Sequence, residues 1–255
     1  MKNFCKIASV VSQIVVMFVF FGGCALESSQ AAGTDSGLGK QFSATIYFIK
    51  LMNIGSQKCD QKKTIYDVDQ KPLLQVCPEN YKRCVIEGTC ALVDADDISA
   101  ENEWENSHTS HDIDLINYVK LKNNLPLFEK VDTQRCPHGY GVKAICLDPF
   151  FTVAADLEFH NPGDVIFVPK AVGIVLANGE RHSGYFIVRD KGGAIKGANR
   201  FDFFTGFLDY RHDENPLTKL GFNDKNLKFE FRKVAGAEAE SFRKNRHFPL
   251  TPLSK

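Results

Sequence analysis

Residues 190–202 read Asp-Lys-Gly-Gly-Ala-Ile-Lys-Gly-Ala-Asn-Arg-Phe-Asp, so that two carboxylates frame a glycine-rich turn. The apolar residues before Asp190 predict a strand that ends on this acid. On the other side, Phe201-Asp202-Phe203-Phe204 alternates between apolar and acidic residues, as a half-buried strand does. The glycines allow a sharp turn and leave room beside the backbone for a ligand. The stretch therefore predicts a strand–loop–strand unit with an acid on each strand.

Asp202 stands among three phenylalanines in the sequence. A carboxyl group in such surroundings is poorly solvated, so we expect its pKa to be raised. A carboxylic acid with a raised pKa near a second carboxylate is what glycosidic-bond chemistry needs. The alternative is structural, because most Asp–Gly turns use their acids only to hydrogen-bond the backbone. The residues by themselves leave both interpretations open.

The octapeptide Asp-Lys-Gly-Gly-Ala-Ile-Lys-Gly followed by Phe201-Asp202 resembles the signature of the three-aspartate (3D) domain, which is also found in membrane-bound lytic transglycosylase A enzymes. The first aspartate of that family lies in a V-A-x-D motif, matched here by Val153-Ala154-Ala155-Asp156. The resemblance spans roughly residues 139–206, with weaker similarity at Ala44-Thr45-Ile46-Tyr47 and Glu87-Gly88-Thr89. It implies an all-β fold, a six-stranded double-psi β-barrel.

For function, the resemblance implies a peptidoglycan lytic transglycosylase. Such an enzyme cleaves the β-1,4 bond between MurNAc and GlcNAc and forms 1,6-anhydro-MurNAc during cell-wall turnover, without a cofactor. Two alternatives stay open. One is a glycan hydrolase built on the same barrel, and the other is a non-catalytic, expansin-like module that binds the cell wall.

The resemblance also assigns roles to single residues. Asp202 takes the place of the catalytic acid and base, and Asp190 is expected to raise the pKa of Asp202 and to stabilise positive charge at the sugar. Asp156 is expected to orient this pair or to bind sugar hydroxyls. Lys196 is expected to contact the substrate, although a surface lysine on a turn is an equal alternative. Glu87 is the next candidate for the acid.

Length and composition are those of a soluble globular protein. The chain has 255 residues, of which 44% are hydrophobic and 24% charged, and its formal net charge is zero. A neutral chain gives no indication of nucleic-acid binding. Many phenylalanines in short alternating runs favour β structure.

The N-terminus resembles a targeting segment. Lys2 and Lys6 precede an apolar stretch, Ile7–Phe21, that has the length of a signal peptide. Gly22-Gly23-Cys24 follows and resembles a bacterial lipobox, in which Cys24 carries the lipid. We therefore expect a lipoprotein-type signal peptide at residues 1–23 and a flexible tether at residues 24–40. The protein is expected on the periplasmic face of the outer membrane of a Gram-negative cell, or free in the periplasm.

The cysteines support export. Cys5 and Cys24 lie in or next to the signal, and an even remainder in an exported chain predicts disulfides. These remaining cysteines are Cys59, Cys77, Cys84, Cys90, Cys136 and Cys146. Their pairing cannot be deduced, because six cysteines allow fifteen connectivities. A metal site is not expected, since no C-x-x-C pair is present and His108 and His111 have the spacing of ordinary loop histidines.

The rest of the chain predicts one barrel domain at residues 41–235. Within it, residues 84–93 predict a strand, Asp69–Pro72 a hairpin turn, and residues 227–234 the strand that completes the sheet. Residues 94–135 are polar and predict an irregular insertion. Lytic transglycosylase A enzymes carry a second domain, and no stretch here predicts one. Residues 236–255 predict a basic, disordered C-terminal tail.

Overall fold

The computed structural model describes residues 39–55, 58–93 and 114–249. Residues 36–255 belong to one compact unit. The predicted signal peptide at residues 1–23, residues 24–38 of the predicted tether with Cys24, and His108 and His111 lie outside the described residues. Lys40, predicted as the end of the tether, is the first residue of the first strand. The strands are β1 Lys40–Tyr47, β2 Leu51–Asn53, β3 Lys63–Asp67, β4 Pro72–Val76, β5 Thr89–Val93, β6 Asp114–Lys122, β7 Leu125–Lys130, β8 Thr152–Ala155, β9 Val165–Phe167, β10 Tyr185–Asp190, β11 Arg200–Phe204 and β12 Phe229–Val234. The helices are α1 Pro78–Glu87, α2 Pro216–Lys219 and α3 Gly236–Asn245, which confirms a strand-rich fold with little helix.

Six strands form a closed barrel in the order β1-β11-β8-β10-β9-β12. β1 pairs with β11 in parallel, and β8 pairs with β10 in parallel. The other pairings around the ring are antiparallel. β12 pairs with β9 on one side and with β1 on the other, so the alternating stretch near residue 230 does complete the sheet.

Phenylalanines fill the interior of the barrel because strand side chains alternate between the two faces. On β1, the side chains of Phe42, Ala44 and Ile46 enter the core. On β11, Phe201 and Phe203 do the same, and both are fully buried. Phe42 lies 5.4 Å from Phe201 and 5.6 Å from Phe203, measured between ring centroids. The core of the barrel is therefore a network of aromatic contacts.

A second sheet of six strands lies between β1 and β8 in the sequence, in the order β2-β5-β6-β7-β3-β4. It has its own buried cluster, which includes Ile65, Val76, Ile116 and Phe128. The sequence predicted one barrel with an insertion and did not predict this sheet. Two of its pairings, β3 with β4 and β6 with β7, are hairpins, and the other three join strands that are distant in sequence.

The predicted insertion at residues 94–135 is also corrected in its second half, because β6 and β7 form a hairpin there, with a register shift between Tyr118 and Lys120. Residues 94–113 lie outside the described part of the chain. The turn is made by Asn123 and Asn124, whose φ angles are 51° and 62°. Positive φ at both central residues is the geometry of a tight hairpin turn, and Asn adopts it more readily than most residues. This Asn-Asn pair was the signal that the sequence interpretation missed.

Helix α1 replaces the first half of the strand predicted at residues 84–93. Pro78 stands at the start of the helix and Glu79 in its first turn, both favourable there. Gly88 ends the helix with a φ of 79°, a left-handed conformation that glycine adopts without strain. β5 then begins directly at Thr89. Gly88, which lies within the stretch predicted as a strand, is the C-cap of a helix.

The predicted disulfides are confirmed. The pairs are Cys59–Cys77, Cys84–Cys90 and Cys136–Cys146. The first two lie in the second sheet and its helix. The third closes the loop that leads into β8.

The C-terminal segment is ordered as helix α3 rather than as a disordered tail, so that prediction is wrong for residues 236–249. Ala239, Phe242 and Phe248 pack with Ile187 and Val234 on the outside of the barrel. This burial stabilises the helix, which its own sequence pattern does not reveal. Across the described residues, none of the helices has both the length and the apolar character that a membrane crossing requires.

Candidate active site

Asp190 and Asp202 flank one residue of the barrel, Ala154 on β8. In the strand register, Asp202 on β11 is opposite Ala154 from one side, and Asp190 on β10 is opposite Ala154 from the other. Neighbouring strands lie about 4.8 Å apart, so the two Cα atoms are separated by roughly 9–10 Å. The fold thus brings the two acids that frame the glycine-rich loop onto adjacent positions of one surface.

That surface is the outer face of the barrel. Val153 and Ala155, on either side of Ala154, point into the core, so Ala154 points outward. Asp202 shares this direction because its neighbours Phe201 and Phe203 point inward. The prediction that Asp202 is surrounded by these two rings is therefore wrong, since alternation puts them on the opposite face of β11. Phe204 instead packs in the buried cluster between the barrel and the second sheet.

A β-bulge turns Asp190 to the same face. The register of β10 on β8 passes from Val188 opposite Val153 to Asp190 opposite Ala154, so Arg189 is an extra residue. Val188 is in the core. Regular alternation would put Asp190 in the core as well, and the extra residue reverses its direction.

The pKa of Asp202 is raised to about 6, chiefly by burial and in smaller part by the negative charge of Glu87. A hydrogen bond with Thr45 and the charge of Arg200 oppose this shift. The Oδ1 atom of Asp202 is buried and has no hydrogen-bond partner among the described residues. Asp202 is therefore a carboxyl group that can hold a proton up to about pH 6 and that has one buried oxygen without a partner among the described residues.

Asp190 is also shifted, chiefly by burial, which raises its pKa to about 6, and the charge of Asp202 adds to the rise. Two donors act in the other direction. The backbone N–H of Lys191 donates to Oδ1 at 2.8 Å, and the Tyr47 hydroxyl donates to Oδ2 at 3.1 Å. These bonds favour the ionised form of Asp190. The same buried position, next to both carboxylates, raises the pKa of Tyr47.

Asp156 lies apart from this pair in its contacts and holds the glycine-rich loop. Its Oδ2 accepts from the backbone N–H of Gly197 at 2.8 Å, and its Oδ1 accepts from that of Glu158 at 3.1 Å. These two bonds lower the pKa of Asp156. His160 assists, because its Nε2 lies 2.9 Å from the Ala198 carbonyl oxygen. Asp156 thus anchors the loop between the two acids, and its expected role in orienting the pair or binding sugar hydroxyls stays a prediction.

Lys196 and Glu87 occupy different places. Lys196 is exposed on the loop, and its charge acts on Asp156. Glu87 is the last residue of α1 and its carboxylate acts electrostatically on Asp202. Partial burial raises the pKa of Glu87. The structure thus brings Glu87 and Asp202 together from two different modules.

Three further residues complete the site and were not predicted: Tyr47, Thr45 and Arg200. Thr45 is opposite Asp202 in the β1–β11 register, and Arg200 donates from Nη2 to the Thr45 hydroxyl at 2.9 Å. Thr45 and Tyr47 lie two residues apart on β1 and so share the outer face. Alternation within the stretch Ala44–Tyr47, which the resemblance included, was the signal that could have identified them. Nowhere in the described part of the chain do three or more His, Cys, Asp or Glu residues form a group that could hold a metal ion.

With this geometry established, the chain can be compared with known proteins. Residues 151–214 match the family model of the 3D domain. The resemblance predicted from the sequence is confirmed for this part of the chain, and the matched 3D domain contains Asp156, Asp190 and Asp202. No curated protein matches the sequence.

Three solved structures are similar in fold. Escherichia coli MltA with bound chitohexaose is 12% identical, with a TM-score of 0.46, and the alignment covers 76% of this chain and 72% of that one. A membrane-bound lytic murein transglycosylase from Agrobacterium tumefaciens is 13% identical, with a TM-score of 0.46 and coverage of 79% and 76%. The lytic transglycosylase LtgG of Burkholderia pseudomallei is 13% identical, with a TM-score of 0.37 and coverage of 79% and 73%.

Proposed function

We propose that the protein is a lytic transglycosylase that cleaves the β-1,4 bond between MurNAc and GlcNAc in peptidoglycan. The observation that carries the proposal is the placement of Asp190 and Asp202 on either side of Ala154, on one face and with unequal hydrogen bonding. Asp190 has two donors that favour its charge, whereas one buried oxygen of Asp202 has no partner within the part of the chain that the structure describes. An ionised and a protonated carboxyl group side by side suit glycosidic chemistry.

In the first half of the proposed reaction, Asp202 donates its proton to the oxygen of the glycosidic bond. The bond between that oxygen and C1 of MurNAc breaks, and the GlcNAc alcohol leaves. Positive charge develops at C1 and at the ring oxygen. The Asp190 carboxylate faces the same surface and stabilises this charge electrostatically.

In the second half, the C6 hydroxyl of the same MurNAc attacks C1 and forms the 1,6-anhydro bond. The hydroxyl proton passes to the Asp202 carboxylate, which restores the starting state. No water is consumed. Because the nucleophile belongs to the substrate, its effective concentration is high, and this lowers the barrier by several kcal/mol.

The substrate is proposed to lie where the barrel faces the second sheet. Phe204 of the barrel and Ala91, Val93 and Leu115 of the second sheet share one buried cluster, so this is where the two modules meet. The negative charge of Glu87, which belongs to the second module, acts on Asp202. Exposed Lys196 on the anchored loop is proposed to contact carbonyl or carboxylate groups of the glycan peptide.

We also propose that the barrel is of the double-psi type. Its two parallel pairs, β1 with β11 and β8 with β10, support this topology. The 3D domain match over residues 151–214 supports it as well, since β8 to β11 lie within that range.

Muropeptide mass spectrometry after incubation with purified peptidoglycan tests the function. We expect products that end in 1,6-anhydro-MurNAc. Products with reducing ends would replace the proposal by a hydrolase. Binding to sacculi without any released product would replace it by a non-catalytic wall-binding module.

For location, we propose a lipoprotein on the periplasmic face of the outer membrane, anchored through Cys24. This rests on the lipobox-like sequence Gly22-Gly23-Cys24. The variant Cys24→Ala should leave the membrane fraction and become soluble in the periplasm. Retention of this variant in the membrane fraction would contradict the lipid anchor.

A further inference from the structure

The direction of the Asp190 side chain depends on the β-bulge at Arg189. Arg189 is the extra residue in the register of β10 on β8. If the bulge relaxed into regular pairing, Asp190 would turn toward the core, where Val188 lies. Other parts of the structure must therefore hold the bulge at Arg189 in place if Asp190 is to stay on the outer face of the barrel.

The side chain of Arg189 is held by groups distant in sequence. It is only 3% exposed. Its Nη1 donates to the Cys146 carbonyl oxygen at 2.9 Å, and its Nη2 donates to the Arg246 carbonyl oxygen at 2.6 Å. Asp148 lies 3.6 Å from the same Nη2. A buried guanidinium is costly unless it is paired, so these contacts fix where Arg189 can lie.

The backbone of the bulge is confined as well. A Cβ atom added to Gly141 would come within 2.2 Å of the Arg189 carbonyl oxygen. The φ of Gly141 is −90°, so this glycine is required for space and not for conformational freedom. The loop closed by Cys136–Cys146 therefore packs directly against the irregular step.

Arg246, which accepts from Arg189 through its carbonyl, is itself clamped. Its Nε and Nη2 donate to the two carboxylate oxygens of Asp148 at 2.9 and 2.8 Å. Its guanidinium lies 3.6 Å from the centroid of the Phe151 ring. Such a bidentate, stacked arginine has little freedom. The end of the chain is thereby fixed against the barrel beside the bulge.

Phe248 adds a second contact. Its ring centroid lies 5.5 Å from the Arg189 guanidinium. The ring also fills the space beside Gly163, because a Cβ atom added to Gly163 would come within 2.9 Å of the ring. The N–H of Gly163 donates to the Val188 carbonyl oxygen, one residue before the bulge. Residues 246–248, the C-terminal clamp, thus contact the Arg189 side chain directly and Val188 through Gly163.

We infer that Arg189 and the C-terminal clamp are positioning elements that hold Asp190 on the outer face of the barrel beside Asp202. Neither Arg189 nor the clamp belongs to the group around the two carboxyl groups, so both act through the bulge. The effect on rate rests on the proposed function, whereas the effect on Asp190 itself does not. A clamp that only stabilises the fold would leave the titration of Asp190 unchanged.

The test compares Arg246→Gln with Lys244→Gln in the full chain. Both remove one positive charge from the C-terminal segment, but Lys244 is exposed. The first readout is the pKa of the Asp190 carboxyl, measured by carbon-13 NMR. The groups that act on Asp190 are Tyr47, Lys191 and Asp202. Because burial is the largest cause of its raised pKa, a bulge that relaxes and turns Asp190 toward the core should raise that pKa further in Arg246→Gln and leave it unchanged in Lys244→Gln.

The second readout is steady-state turnover on peptidoglycan. We expect kcat of Arg246→Gln to fall by up to about 10²-fold with KM nearly unchanged, because small displacements of a reacting group have effects of this size. Arg246→Lys, which can still reach Asp148, should restore part of kcat. Lys244→Gln should behave as the parent.

Folded Arg246→Gln with a parental Asp190 pKa would overturn the inference. If the parent releases no product, the proposed function fails, and the NMR titration still decides whether the clamp positions Asp190. If Arg246→Gln does not fold, Phe248→Leu provides the same titration, because it loosens the ring beside Gly163 and leaves the ion pair with Asp148 in place. An unchanged Asp190 pKa in that variant would equally overturn the inference.

Discussion

The barrel strands close a ring around a core of phenylalanines, whereas the second sheet stays open and carries the disulfides Cys59–Cys77 and Cys84–Cys90. A closed barrel has no unpaired strand edge and buries one whole face of every strand. The open sheet has two edges, β2 and β4, and a smaller core of mostly aliphatic side chains. A small hydrophobic core supplies little stability, and disulfides add to it because they reduce the entropy of the unfolded chain.

The difference bears on function. Both aspartates, Tyr47 and Thr45 are on strands of the barrel, while the second module contributes Glu87 from the end of a stapled helix. Reacting groups need a rigid support, because misplacement by about 1 Å can slow a reaction about 10²-fold. We therefore expect substitutions in the barrel to act on the chemical step and substitutions in the second sheet to tune it.

The largest effect is expected from Asp202→Asn, which keeps the shape of the side chain and removes its proton. Turnover should fall by about 10²–10⁴-fold, the usual contribution of a positioned acid. Glycan binding in a sedimentation assay with sacculi should persist, and circular dichroism should match the parent. A folded Asp202→Asn protein with the parental rate of anhydro-product release would show that the acid lies elsewhere, with Glu87 as the next candidate.

The packing of the two cores can be compared through Phe203→Ala and Phe128→Ala. Both side chains are fully buried. Phe203 lies 4.5 Å from Phe222 and 4.8 Å from Phe186, whereas Phe128 lies 5.9 Å from Tyr118, between ring centroids. We expect Phe203→Ala to lower the free energy of unfolding by about 5 kcal/mol and Phe128→Ala by about 3 kcal/mol.

Chemical denaturation measures both values. Phe159→Ala is the control, because Phe159 is 51% exposed and loss of its ring should change the free energy of unfolding by no more than about 0.5 kcal/mol. Equal losses for Phe203→Ala and Phe128→Ala would mean that the aromatic contacts of the barrel add nothing beyond burial.

The two disulfides of the second sheet should differ in their effect on stability. Cys59 and Cys77 are 18 residues apart in sequence, and Cys84 and Cys90 are 6 apart. From the entropy of loop closure, replacing the first pair by alanines should lower stability by about 3 kcal/mol and replacing the second by about 2 kcal/mol. Hydrogen exchange should locate the loss in β3, β4 and α1. Equal loss of hydrogen-exchange protection in the barrel strands would contradict the expectation that these two disulfides stabilise the second sheet specifically.

The smallest effect is expected from Glu87→Gln, and it concerns pH. Asp202 must carry a proton to act as an acid, so kcat should fall as pH rises through about 6. The Glu87 charge raises the pKa of Asp202, and its removal should lower that pKa. The descending limb of the profile should therefore move to lower pH. Glu79→Gln, at the other end of α1, is the control and should leave the pH of the descending limb unchanged. If Glu87→Gln also left it unchanged, the charge of Glu87 would have no effect on the pKa of Asp202.

Much of the site could be predicted because its residues belong to short, specific patterns. Asp190, Asp202 and the loop between them were identified from one octapeptide and the alternation that follows it. Tyr47 and Thr45 were missed as site residues, since a tyrosine and a threonine in a strand have many uses. Their alternation in the stretch Ala44–Tyr47 was a weak signal, and the parallel pairing of β1 with β11 places them beside the acids. The second sheet was not predicted as a unit, because three of its five strand pairings join strands that are distant in sequence.

By itself the sequence determined the strand-rich class, the disulfide-bonded state of six cysteines, the glycine-rich turn and the two acids that flank it. These features are local, since they depend on side-chain type and on spacing of a few residues. The tertiary structure alone decided which way the acids point. Asp202 is outward because β11 alternates regularly, but Asp190 is outward only because Arg189 adds a residue to β10. That bulge rests on contacts with residues 141, 146, 246 and 248, and such long-range contacts leave no periodic trace in a sequence.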